Sequence, residues 1–141
     1  MLGQVRIIKL KLIIKTNIMY KEFKELVGKT LVSVETNKEN DEITFTTNEC
    51  EKFLMYHNQD CCESVSIEDI NGDLEDLIGT PILLAEEVTS EENPDGVIKE
   101  YQDSFTWTFY KLATIKGYVD IRWYGESNGY YSEDVSFKQL T

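Results

Sequence analysis

Proline occurs twice in the 141 residues, histidine once, arginine twice and cysteine three times. Two prolines exclude an extended proline-rich linker and leave room for ordered sheet structure. Three cysteines, Cys50, Cys61 and Cys62, supply no even framework for a disulfide-stapled secreted fold. Adjacent Cys61 and Cys62 can bridge only through a small strained ring, so reduced thiols in a reducing compartment are expected. No apolar stretch approaches the roughly 20 residues of a membrane-spanning helix, which points to a cytoplasmic, non-membrane protein. Basic residues are the scarcest class where they would matter most. From Asp60 to Asp103 there are fourteen acidic residues and a single basic one, Lys99. Such a surface repels phosphates, so direct nucleic-acid binding is disfavoured.

The charge that is present is unevenly placed. Residues 1–18 hold Arg6, Lys9, Lys11 and Lys15 and no acid, a net of +4. From Met19 onward 10 basic residues face 26 acidic ones, a net of −16. Lysines interrupt every apolar run of the first segment, unlike the core of a signal peptide. Two readings of this basic extension stay open: translation from upstream of a start at Met19, or an edge strand built on its period-two alternation. Residues 19–141 then form a single globular acidic domain, long enough to bury a core of its own.

Periodicity predicts an α+β domain, a mostly antiparallel meandering sheet with one or two short helices. Tyr20 to Val27 places Phe23, Leu26 and Val27 on one helical face before Gly28. Strands are expected over Leu31–Thr36, Glu42–Thr47, Glu51–His57, Ser64–Ile70, Ile82–Val88, Ser104–Ile115, Tyr118–Tyr124 and Tyr131–Phe137. Leu74–Ile78 reads as one helical turn. Thr89–Asp103 is polar around Asn93-Pro94-Asp95-Gly96, and Gly125 to Gly129 reads as a connecting loop.

Three stretches carry candidate chemistry. In the first, His57, Asp60, Cys61, Cys62 and Glu63 lie within seven residues. A cysteine nucleophile needs a histidine base and an orienting group, and all three types are present. Zinc could take Cys50, His57, Cys61 and Cys62, although paired ligands two to four residues apart are the usual bite. The plainer account makes the cysteines small fillers and His57 a hydrogen-bonded residue at a strand end. In the second, Asp69, Asn71 and Asp73 offer oxygen ligands for a divalent metal such as calcium or magnesium. An EF-hand would need glycine and glutamate where Leu74 and Thr80 stand. A turn followed by a helix start capped by Asp73 explains the same residues. In the third, Arg122, Tyr124, Tyr130 and Tyr131 surround a glycine-flanked loop. They suit a binding surface or, more simply, core packing by Trp123 with Arg122 paired to an acid.

The runs Tyr56-His57-Asn58-Gln59-Asp60-Cys61-Cys62-Glu63, Glu68-Asp69-Ile70-Asn71-Gly72-Asp73-Leu74 and Arg122 to Tyr131 resemble a family of small uncharacterised proteins. That family, classed as a domain of unknown function, is carried by bacteriophages, prophages and some bacteria. The resemblance runs from about Tyr20 to Phe137 and leaves residues 1–18 outside. It implies a phage or mobile-element setting, hence the cytoplasm of the host cell, and brings no established activity or catalytic residue. The expected function is therefore non-enzymatic: an accessory protein whose acidic surface engages a host protein, one with a basic surface, or a small ligand. The rival reading is a metal-assisted hydrolase centred on His57 and the nearby carboxylates and cysteines. Oligomeric state stays open.

Overall fold

A computed structural model describes residues 20–141. The basic extension, whether edge strand or upstream translation, lies outside the described residues. The architecture is two four-stranded antiparallel sheets. The first contains β1 (Leu31–Thr36), β2 (Glu42–Thr47), β3 (Lys52–Tyr56) and β8 (Ser136–Gln139), in that order. The second contains β4 (Ser64–Asn71), β5 (Leu84–Ser90), β6 (Ser104–Thr114) and β7 (Gly117–Ser127), ordered β4-β7-β6-β5. Among the described residues no helix is long and apolar enough to cross a membrane.

Alternation of side chains explains the two layers. β2 turns Ile43 and Phe45 inward, β3 turns Phe53 and Met55, and β7 turns Val119, Ile121 and Trp123. These residues join one apolar cluster drawn from both sheets. Trp123 spans the layers, its indole Nε1–H donating to Met55 Sδ at 3.2 Å. Phe137 of β8 stacks on Phe53 and meets Phe23 and Phe45 edge-on. Tyr110 of β6 is also fully buried, and its hydroxyl donates to Glu87 Oε1 at 2.7 Å. Burial, with the adjacent Glu87 carboxylate, pushes that hydroxyl's pKa far above its ordinary value.

The helical expectation shrinks. Two 3-10 turns, Phe23–Leu26 and Leu74–Leu77, are the helical content of the described residues, so the fold is a mostly-β sandwich rather than α+β. The physical reason is the apolar spacing. In each turn two leucine or phenylalanine side chains stand three residues apart, the spacing at which a 3-10 turn aligns its side chains. Phe23, Leu26 and Leu77 are buried, whereas Val27, expected on the same helical face, is 48% exposed.

The meander is also corrected. After β3 the chain leaves the first sheet, builds the second, and returns as β8 to pair with β3, Met55 opposite Phe137. Within the second sheet β4 pairs with β7 rather than with its successor β5. Gly125 to Ser127, expected in a loop, extends β7 between β4 and β6. Glycine is needed there for space: a Cβ on Gly125 would stand 2.6 Å from the Glu133 carbonyl oxygen and 2.9 Å from Glu133 Cβ. The segment so admitted buries Glu133, whose carboxylate accepts from the Thr106 hydroxyl at 2.8 Å and the Ser127 hydroxyl at 2.5 Å. Gly125→Ala should therefore lower stability by about 1–3 kcal/mol in urea denaturation, through overpacking on a central strand. An unchanged unfolding midpoint would mean that Glu133 does not pack there.

Candidate functional site

The Tyr56–Glu63 run folds upon itself at the exit of β3. His57 follows the strand directly, and its Nδ1 lies 2.6 Å from the Asp134 carbonyl oxygen just before β8. A carbonyl only accepts, so Nδ1 carries the proton and Nε2 is left to face inward. Glu63 stands at the entry to β4 with its side chain fully buried. Its Oε1 accepts from the Asp60 N–H and the Cys61 N–H, each at 3.0 Å, and from the Gln59 amide at 2.6 Å. The same Gln59 amide also donates to the Glu63 carbonyl oxygen at 2.9 Å. One carboxylate thus closes the whole turn.

Glu63 Oε2 and His57 Nε2 face one another at 3.7 Å, and both atoms are buried without a hydrogen bond. Burial pushes the Glu63 carboxyl up. The backbone N–H donors of Asp60, Glu63 and Cys61 outweigh that and hold it below the usual carboxylate range. The outer side of this turn opens into a cleft of about 490 Å³ lined by Tyr20, His57, Asn58, Gln59, Asp60, Ser132, Asp134 and Ser136.

The cysteines depart from expectation. Cys61 and Cys62, expected as separate thiols, are joined as a vicinal disulfide, with Cα atoms 3.7 Å apart. The Glu63-centred turn brings the two residues to the surface side by side. Cys50 is exposed on the β2–β3 turn, where its backbone takes a left-handed φ of 64°, and its carbonyl accepts from the Thr141 hydroxyl. Among the described residues, no three His, Cys, Asp or Glu side chains converge as metal ligands. Asp69, Asn71 and Asp73 are pulled to separate tasks. Asp69 stands opposite Arg122 at 4.0 Å, Asn71 pairs with Asp120 across the strands, and Asp73 Oδ1 accepts from the Glu75 N–H at the start of the second 3-10 turn.

The Arg122–Tyr131 stretch divides between two faces. Trp123 points into the core, while Arg122 and Tyr124 point outward with Trp107 of β6. Tyr130 and Tyr131 meet edge-on at 5.1 Å beyond the sheet, with Tyr130 largely exposed. On the outward face lies a feature that sequence reasoning missed. Trp107 is fully buried yet stands outside the inter-sheet cluster. The 91–103 loop covers it: Asn93 Oδ1 accepts from the indole N–H at 3.0 Å, and Asn93 and Gln102 exchange amide hydrogen bonds. Gln102 also donates to the Tyr124 hydroxyl at 2.8 Å. Pinned at both ends, the loop holds Ile98 and Tyr101 out in solvent, each 90% exposed. The available signal was the apolar Val97-Ile98 pair and Tyr101 inside an otherwise polar run.

The sequence profile of a domain of unknown function, DUF7448, matches residues 24–137. The chain belongs to the DUF7448 family. No curated protein and no solved structure matches it. The DUF7448 match runs from the first 3-10 turn into β8, so it contains the Glu63-centred turn, the Asp69–Asp73 stretch and the outward aromatic face.

Proposed function

We propose that this DUF7448 domain is a non-enzymatic binding module whose acidic face engages a partner protein with a basic surface; in a phage setting the partner is a host protein. The observation that carries this reading is the 91–103 loop. Its two fully displayed apolar side chains, Ile98 and Tyr101, sit on a support held by partly buried hydrogen bonds, which lowers the ordering cost of binding. Around them Glu91, Glu92, Asp95, Glu100 and Asp103 are exposed, so apolar anchors stand in a negative field suited to steering a cationic surface.

The test is affinity capture from a lysate of the bacterium carrying the gene, with wild-type protein and the Ile98→Ser/Tyr101→Ser variant side by side. A protein held by wild type, released near 0.5 M salt (roughly fivefold above the ionic strength at which the screening length is about 10 Å) and absent from the variant supports the reading. Capture indifferent to both changes sinks it. A metal-assisted hydrolase has one observation in its favour, the unpartnered His57 Nε2 and Glu63 Oε2. Native mass spectrometry of chelator-free protein separates the two readings. A metal adduct present in wild type and lost in His57→Ala would favour the hydrolase.

A further inference from the structure

The outward face of the second sheet already holds an ammonium group. Lys99 Nζ lies 4.4 Å from the centre of the Tyr124 ring, 5.9 Å from that of Trp107 and 3.8 Å from Glu68 Oε1. Two aromatic faces and a carboxylate around one cation form an arrangement that attracts ammonium groups through ring quadrupoles and charge. The rings do not depend on Lys99 for their positions. They lie opposite one another in the β6–β7 register, 4.6 Å between centres, and are tied down by Asn93 and Gln102. Lys99 itself is held less firmly. Its ammonium is too far from Glu68 for a hydrogen bond, and its side chain is partly exposed. The other charged pair on this face, Arg122 with Asp69 at 4.0 Å, places the guanidinium 5.3 Å from the Trp107 ring and leaves the Lys99 position to an ammonium.

We propose that the cradle formed by Trp107, Tyr124 and Glu68 is a receptor for a lysine side chain of the partner protein, and that Lys99 is a built-in occupant which the partner's lysine displaces. This rests on the binding reading above and names the chemical group recognised. Charge and position support it. Lys99 is the one basic residue between Asp60 and Asp103. It lies in the loop between the exposed anchors Ile98 and Tyr101, with its own side chain and that of Glu68 partly exposed, so a partner seated on the anchors lies beside the entrance to the cradle. An occupant tethered nearby competes at high effective concentration, which keeps free lysine-like molecules out until a multipoint partner arrives.

The test uses n-butylammonium chloride as the probe, titrated against full-length protein at constant ionic strength set with sodium chloride, while the Trp107 and Trp123 indole N–H resonances are followed by NMR. Lys99→Ala should show a saturable shift of the Trp107 resonance, with half-saturation at a concentration about fivefold lower than in wild type. Adding Glu68→Gln in that background should weaken binding again by about threefold. Trp123, buried between the sheets, should not move and reports that the variant is folded. Lys99→Ser replaces the alanine variant if the Trp123 signal is lost. No saturable Trp107 shift beyond the sodium control, or equal affinity in wild type and variant, overturns the proposal. That failure is distinct from failure of the binding reading, because partner capture that depends on Ile98 and Tyr101 would then survive without the cradle.

Discussion

Trp107→Ala is expected to lower stability by about 3–5 kcal/mol in urea denaturation, as large a loss as removal of an aromatic side chain from a conventional core. The side chain lies on the outer face of the second sheet, where an aromatic residue would ordinarily be half-solvated. Here it is fully buried, between Tyr124 on the neighbouring strand, Phe109 on its own strand and the 91–103 loop. Truncation removes the transfer free energy of the ring, opens a cavity beneath the loop and leaves Asn93 Oδ1 without its indole donor. Hydrogen exchange should localise the damage. Amides of residues 91–103 should lose protection at once, while those of β2 and β3 should change only with global stability. Trp107→Phe keeps most of the ring and loses the indole hydrogen bond, so a cost nearer 1 kcal/mol is expected. A cost below about 1 kcal/mol for alanine would mean that the loop does not pack on the sheet. Ile98 and Tyr101 would then no longer be preorganised.

That buried outer tryptophan also shows where the sequence stops being legible. Alternation located seven of the eight strands, since side-chain parity is a local property, but the last runs over Ser136–Gln139 rather than the expected Tyr131–Phe137. β2 over Glu42–Thr47 and β6 from Ser104 coincide with the expected segments. Alternation does not say which face is the core. In β6 the aromatics Phe105, Trp107 and Phe109 stand on one side, but the deep core receives Tyr110 and Leu112 from the other. Nor does it choose partners. The pairing of Met55 with Phe137, which makes two sheets out of an expected meander, joins residues eighty-two positions apart and has no local signal. The Tyr56–Glu63 run was legible as a cluster but not as a mechanism. Glu63 stood among five candidates of equal weight, and only the fold reveals it as the acceptor that closes the turn around His57.

Glu63 consequently yields the sharpest paired prediction. Glu63→Ala should depress the melting temperature by roughly 10 °C, because it strands the Asp60 and Cys61 N–H groups and leaves the Gln59 amide with the Glu63 carbonyl oxygen alone. Glu63→Gln should be far milder. Its amide oxygen can take the three donors, and its amide N–H can donate to Nε2 of a neutral His57 whose Nδ1–H stays on the Asp134 carbonyl. The two variants should also separate in acid. The Glu63 carboxyl is held below its ordinary range in the folded chain, so its contribution is complete above the unfolded value, about 4.3. That contribution is lost as pH falls through the lower folded value. Wild type should therefore lose melting temperature across that interval more steeply than Glu63→Gln, which has no carboxyl to protonate there. Parallel acid profiles, or an alanine variant as stable as wild type, would show that the carboxylate is not the hub of the turn. The His57–Glu63 pair would then be open to solvent, metal or ligand.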